Sequence, residues 1–381
     1  MLNSGIYIHV PFCRKKCLYC DFFSGGEAAA DWRAFASAVK SEFDVRQHEL
    51  LSPPDTLYIG GGTPSILPLD MFRDILSSIM EKSFISDSDM EITMEVNPDD
   101  VNLFNAKEWK SAGITRISMG VQSFVDSELN GIGRKHNSEK AIAAFEILRE
   151  FFDNISLDLM FGLPGQTIES WQYSVGRAVE LSPEHLSAYS LMFEEGTPFT
   201  VLRDKGRLSF PDDACNMEMW KFLSDTLVEN GFSQYEISNY CKAGFESKHN
   251  SKYWKQAPYL GLGPSAHSYD GGRIRRFNPA DIKGYIKYYN NSKERAGVFY
   301  DEEKLNEEEL SDEYILTRMR MKEGINFEEY RKRFGEEKCK RLYGNAIKIM
   351  DGGLICLDGK SVSLSKQGIM VSDSVITELA M

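Results

Sequence analysis

Between residues 5 and 236 the sequence alternates six times between a short apolar run and a longer segment with helical spacing. "YIHV" precedes "DWRAFASAVKSEFDV", in which Trp32, Phe35, Ala36, Val39 and Phe43 share one helical face. "TLYIGG" precedes "LDMFRDILSSIM", where Phe72, Ile75, Leu76 and Ile79 recur at the same spacing. "MEITMEV" alternates with period two and leads into "NAKEWKSAG", a short helix stopped at Gly113. "ITRISMGV", "ISLDLMFG" and "HLSAYSLM" are the remaining strands, each followed by a helical stretch. Strand–helix units in succession predict a parallel sheet joined by right-handed crossovers.

Both an open doubly wound sheet and a barrel fit that alternation. Each strand, however, runs into a polar or glycine-rich cluster: Cys13 onward, "GGGTPS", "EVNPD", "GVQSF", "DLMFGLPG" and "MFEEGTPF". Barrels build their sites from the C-terminal ends of many strands, whereas an open sheet uses its switch point. The expected fold is therefore α/β, a partial (β/α)6 TIM-type barrel over residues 1–236. Residues 237–300 are rich in Gly, Ser, Asn and aromatics and are expected to be irregular. "DEEKLNEEEL", residues 301–310, looks like a linker entering a helix. The remainder is mostly helical and ends in "GGLICLDGKSVSLSKQG", a hairpin with a turn at Asp358–Gly359. Residues 301–381 thus form a smaller helical, winged-helix-like domain.

The formal charge is −13, from 44 basic and 57 acidic residues, which argues against a nucleic-acid partner. No run of about 18 apolar residues is present, so no integral membrane span is expected. "MLNSGIYIHV" lacks the features of a signal peptide. A cytoplasmic location is expected, and clustered thiols in that reducing setting point to metal binding or catalysis.

Three of the seven cysteines lie together, Cys13, Cys17 and Cys20; Cys215, Cys241, Cys339 and Cys356 are remote. Three ligands are too few for a closed zinc site unless His9 supplies the fourth. They suffice for an iron–sulfur cubane with one iron left open for an exogenous ligand.

"YIHVPFCRKKCLYCDF" resembles the radical S-adenosylmethionine (SAM) signature, in the form found in its coproporphyrinogen dehydrogenase branch. "GGGTPS", "EVNP", "GVQSF", "GRKH", "DLMFGLPGQT" and "HNSKYW" follow in the order of that branch. The resemblance implies a [4Fe–4S] cluster on Cys13, Cys17 and Cys20, with SAM on the open iron. It implies SAM contacts from Tyr7, Gly61, Gly62, Thr63, Glu95, Gln122, Arg134 and Asp158, with Tyr19 as the aromatic before the last cysteine. Glycines allow close backbone approach, and a guanidinium suits a carboxylate. Structural readings stay open beside these: a surface acid for Glu95, a hydrogen-bonding role for Asp158, a core aromatic for Tyr7.

Two departures separate this chain from the dehydrogenases. Phe22 stands where they carry a fourth cysteine, and their N-terminal extension is missing. Both features match the HemW-like haem chaperones, which implies a carried haem and delivery to an acceptor haem protein of unknown identity. "HNSKYW" is then the haem-contacting motif, through His249, Asn250, Tyr253 and Trp254. Its alternative is a structural segment satisfying its own backbone. His267 is the rival haem ligand, with Cys241 and Met192 weaker ones. His48 and His136 read as surface or helix-end residues. No catalytic residue is assigned, and the coproporphyrinogen dehydrogenase reaction is the alternative function. The oligomeric state and the fate of SAM, cleaved or only bound, stay open.

Overall fold

The computed structural model describes residues 2–26, 31–83, 90–291 and 298–381. The six expected strands are β1 (Ser4–Val10), β2 (Pro54–Gly61), β3 (Glu91–Val96), β4 (Arg116–Gln122), β5 (Ile155–Phe161) and β6 (His185–Ser190). They pair in that order and all in parallel. Alternate residues explain the layering. Ile6, Ile8, Leu57, Ile59, Ile92, Met94, Ile117, Met119, Leu157 and Leu159 are buried in one core with the helices outside the sheet. Tyr7, His9, Thr56, Tyr58, Thr93, Glu95, Ser118, Ser156 and Asp158 take the opposite face. That face curves around a polar lumen, so the strands alternate rather than reading as apolar runs. Asn102, Asn137 and Thr167 cap helices behind the sheet by accepting N–H groups three residues on.

The sheet continues past six strands, and here the expectation of an irregular stretch over 237–300 is corrected. β7 (Ser233–Glu236) and β8 (Asn239–Cys241) extend the β6 edge. A helix occupies Lys248–Trp254. β9 (Tyr259–Leu262) lies parallel to β1, and β10 (His267–Tyr269), β11 (Ile274–Phe277) and β12 (Asp301–Lys304) follow antiparallel. The outermost strands, β12 and β7, do not pair with each other, so the barrel is partial. β12 also corrects the linker reading: "DEEK" is an edge strand whose exposed charges suit an edge. The added strands are fastened to the helix Trp32–Arg46 by one buried carboxylate. Glu42 accepts from Arg46 at 2.8 Å, the Gly263 N–H at 2.8 Å, Asn278 at 2.7 Å and the Tyr285 hydroxyl at 2.6 Å.

The C-terminal region has its own core of Tyr314, Ile315, Met319, Phe327, Tyr330, Leu342, Val362 and Leu379. Its helices Glu307–Met319, Phe327–Phe334 and Glu336–Met350 precede the expected hairpin, β14 (Ile355–Leu357) and β15 (Ser361–Leu364). β13 (Ile325–Asn326) completes a three-stranded sheet. Asp358 accepts from the Lys360 and Ser361 N–H groups to close the turn. Among the described residues no helix is long and apolar enough to cross a membrane.

Candidate functional site at the mouth of the barrel

β1 ends at Val10, and Phe12–Cys13 then pair in parallel with Gly25–Gly26. The cysteine loop is thereby pinned over the C-terminal end of the sheet. Cys13 is buried, Cys17 and Cys20 are half-buried, and all three are free thiols. The glycine turn after β2 packs against them. Gly62 and Thr63 donate backbone N–H bonds to Val10 and Phe12 carbonyls at 2.9 and 2.8 Å. The Thr63 hydroxyl donates to Cys13 Sγ at 3.4 Å. A Cβ on Gly62 would stand 2.6 Å from the Phe12 carbonyl oxygen and 3.0 Å from Cys13 Sγ. Gly61 has φ +110° and abuts the His9 ring. Only glycine fits either position.

Arg134 reaches the same place from the other side. One of its nitrogens donates to the Gly120 carbonyl, and another lies 3.8 Å from Cys17 Sγ. Gln122 adopts φ +71° where the β4–β5 register shifts. A Cβ on Gly120 would meet Gln122 at 2.9 Å and Arg134 at 3.2 Å, so that glycine lets the two side chains converge. Glu95 accepts from the Tyr58 hydroxyl at 2.9 Å. Burial pushes the Glu95 carboxyl up to about 7, and the nearby Asp158 adds to the rise. Asp158 is also raised by burial, and it accepts from Ser118 at 3.2 and 3.0 Å and Ser156 at 3.4 Å. Tyr19 lies against Phe199 in a small satellite core with Ile132 and Leu163.

Tyr7 lies deeper, stacked on Tyr58 with centroids 6.2 Å apart, its hydroxyl 3.1 Å from His9 Nδ1. His9 Nε2 lies 2.9 Å from the Phe23 carbonyl oxygen. Both His9 nitrogens are thus engaged, which takes the fourth ligand from the zinc alternative. Among the described residues no group of three His, Cys, Asp or Glu side chains is gathered closely enough for a single ion. A cubane binds its thiolates at separate corners, so three cysteines spread along one loop suit it better than they suit one metal ion.

"HNSKYW" sits at the opposite end. Its helix Lys248–Trp254 is capped by Ser247, and the Glu91 carboxylate accepts the Lys248 and His249 N–H groups at 3.0 Å each. Gly5, at the start of β1, makes room: a Cβ there would lie 3.0 Å from Lys252 and 3.2 Å from His249. His249 is 1% exposed. Its Nδ1 meets the Thr56 hydroxyl at 2.9 Å, its Nε2 meets the Tyr253 hydroxyl at 3.0 Å, and its ring stacks on Tyr58 at 5.2 Å. Burial lowers the imidazole to about 3. Asn250 is half-buried, and Trp254 lies under the Arg320 guanidinium at 4.6 Å. The motif therefore plugs the floor of the lumen, while the cysteines stand at its mouth.

The rival ligands are scattered. His267 is exposed and stacks on Phe277 at 5.6 Å, Cys241 is buried in β8, and Met192 is exposed beyond β6. His48 is exposed as expected. His136 keeps the helix-end place, one residue before the Asn137 cap, but is buried: it is 3% exposed, with Nε2 3.1 Å from the Val121 carbonyl oxygen. Sequence reasoning passed over Tyr58, Ser118, Ser156 and Arg116, all on the luminal face. Period-two alternation in "RISMGVQ" and "ISLDLMF" was the available signal.

Comparison with known proteins places these features. The model of the radical SAM superfamily matches residues 7–177, and that of the HemN C-terminal domain matches residues 305–371. A Bacillus subtilis protein named heme chaperone HemW is 36% identical over 376 residues, covering 98% of each chain. A Lactococcus lactis protein of the same name is 33% identical, over 98% of this chain and 96% of that one. A zebrafish (Danio rerio) mitochondrial protein, radical S-adenosyl methionine domain-containing protein 1, is 28% identical over 98% of this chain and 86% of its own. In fold, the chain is similar to the Escherichia coli coproporphyrinogen III oxidase HemN. The TM-score is 0.83 at 19% identity, over 100% of this chain and 90% of that one.

Proposed function

The chain belongs to the HemW family of radical SAM proteins, and on that premise we propose that it is a cytoplasmic haem chaperone. It holds one [4Fe–4S] cluster on Cys13, Cys17 and Cys20, binds SAM beside it, carries a haem, and passes that haem to an acceptor haem protein. The observation that carries the reading is the mouth itself. Three free thiols face a glycine turn too tight for any side chain, with Glu95 and Arg134 on either hand.

When bound, the cluster would supply one-electron chemistry at an open iron. The chain's own groups bind and orient. Gly61, Gly62 and Thr63 offer backbone to a ligand that must approach closely. The Arg134 guanidinium suits a carboxylate, helped into place by the turn at Gln122. Glu95, with its raised pKa, gains by ionising beside a cationic ligand, and Asp158 closes the polar wall. Tyr7 and Tyr19 fill the lumen and the loop around them. The proposed division is a core over 1–236, the floor segment 237–300, and the C-terminal domain 301–381.

For haem, contact through Asn250, Tyr253 and Trp254 and ligation by His249 require the floor plug to open. Both His249 nitrogens are engaged within the protein. His267 offers an exposed imidazole with no such rearrangement.

Anaerobic reconstitution followed by parallel haem-binding and coproporphyrinogen decarboxylation assays tests the proposal. Haem in about one-to-one ratio and no decarboxylation is the expected result. Robust decarboxylation would replace the chaperone reading with the dehydrogenase one. Haem spectra of His249→Ala and His267→Ala assign the ligand, since loss of an axial imidazole changes the iron's field.

A further inference from the structure

The turn 320–324 of the C-terminal domain, between the helix Glu307–Met319 and β13, reaches the floor of the barrel. Met321 pairs with Glu236 as an isolated antiparallel bridge. The Lys322 N–H donates to the Tyr235 carbonyl and the Ile237 N–H to the Arg320 carbonyl, each at 3.1 Å. Tyr235 in turn holds the floor helix. Its hydroxyl accepts the N–H of Ser247, the cap of Lys248–Trp254, at 3.3 Å, and meets His185 Nε2 at 2.8 Å. At the other end of that helix the Arg320 guanidinium covers the Trp254 ring. One turn thus grips both ends of the helix that carries His249.

The grip is incompletely satisfied. Arg320 comes only within 3.8 Å of Glu236, whose side chain is 1% exposed, and that is too long for a hydrogen bond. Among the described residues, Trp254 Nε1, Arg320 Nε, Glu236 Oε2, Asn239 Oδ1 and both amide atoms of Gln256 are buried without a hydrogen-bond partner. Gln256, two residues past the helix, also holds φ +53°, a strained conformation for a residue with a side chain. Unmet buried polar groups cost the packed arrangement free energy, and parting the seam would hydrate them. The Glu42 junction on the other flank of the barrel is the contrast, with each carboxylate oxygen met at hydrogen-bond distance. Beside the seam lies a cavity of about 400 Å³, lined by Ser251, Lys252 and Lys255 of the floor helix and by Met321 and Glu323 of the turn. The domain has a separate hold on the barrel, because Ile369 and Met370 pack against the barrel core. The turn is therefore free to lift without the domain leaving.

We propose that turn 320–324 is a latch on the floor helix, and that haem enters through the seam and its cavity when the latch lifts. The proposal rests on the haem-chaperone reading above, in which contact through that helix requires the floor to open. Lifting uncovers Trp254 and releases the Ser247 end together.

The test mixes reconstituted protein anaerobically with excess haem and follows growth of the Soret band. The wild-type rate should level off as haem rises, because opening limits uptake. Arg320→Ala should raise that plateau by about tenfold, since it removes both the cover on Trp254 and the cation beside Glu236. It should also speed amide hydrogen exchange in residues 248–254 and leave β1, β2 and β3 unchanged. Iron content and SAM affinity should hold. Arg320→Lys, which keeps the charge but not the planar stack, should fall between the two and keeps the test valid if Arg320→Ala misfolds. A plateau unmoved or lowered in both variants overturns the latch. So does a wild-type rate that rises in proportion to haem throughout, because no opening step then limits uptake. A wild type that takes up haem, with exchange in 248–254 the same in the variants, refutes the latch alone. A wild type that binds no haem removes the chaperone reading, and the latch with it.

Discussion

At the mouth of the lumen, Glu95 and Asp158 are held with raised pKa values, and Arg134 is aimed past a glycine at Cys17. At the floor, the His249 ring is closed in by Thr56, Tyr58 and Tyr253, and its backbone N–H is satisfied by Glu91. The two ends share the strands β1, β2 and β3. The mouth keeps charged groups where a ligand would complete them, whereas the floor completes its own. That difference separates residues that cost the apo fold stability from residues that hold it together.

The sharpest way to break the comparison is at the cysteines. Cys17→Ala should take iron from about four per reconstituted chain to none. Apo stability should change by no more than about 1 kcal/mol, because the residue is half-exposed and its thiol accepts only a long contact from Arg134 at 3.8 Å. Iron analysis and urea unfolding together check this.

His249→Ala should do the reverse. It orphans the Thr56 and Tyr253 hydroxyls and opens a cavity, for a loss of roughly 2–5 kcal/mol. Iron content and SAM affinity should hold. If His249→Ala leaves the unfolding midpoint unmoved, the floor is not the structural plug described here.

Arg134→Ala should weaken SAM binding by about tenfold or more, from loss of a charge-assisted hydrogen bond worth about 1.5–3 kcal/mol. Calorimetry that finds unchanged affinity removes Arg134 from the site.

The smallest effect is in pH, and its sign differs between the ends. Glu95 titrates near 7 in the fold against an ordinary 4.5, so its protonated form is the one the fold favours. That contribution is full below 4.5 and is lost as pH rises through about 7. His249 titrates near 3 against an ordinary 6.5, so the fold favours it neutral. Its contribution is full above 6.5 and is lost as pH falls toward 3. Unfolding free energies between pH 4 and 8 should therefore lose part of their alkaline decline in Glu95→Gln, Asp158 supplying a further part, and part of their acid decline in His249→Phe. Parallel curves for wild type and Glu95→Gln would show that Glu95 is not held protonated.

The six-fold alternation, the parallel order and the C-terminal hairpin could be read from residues 5–236 and 352–368 because each rests on contacts within a unit or between neighbouring units. The same holds for the mouth. Cys13, Cys17 and Cys20 are neighbours in sequence, and strand-end clusters must meet wherever parallel strands lie side by side. The stretch 237–300 misled because its strands are anchored by remote partners, β8 on β6 and β9 on β1 through Gly5–Tyr259 and Ile6–Leu260. The same distance in sequence hid the role of His249. Its imidazole answers to Thr56 and its backbone to Glu91, partners more than 150 residues away. Local spacing thus determined the chain's units and the contents of its mouth. Which end of the lumen each motif reached was decided by long-range burial, where a polar group must find its partner wherever the packed strands bring one within hydrogen-bond reach.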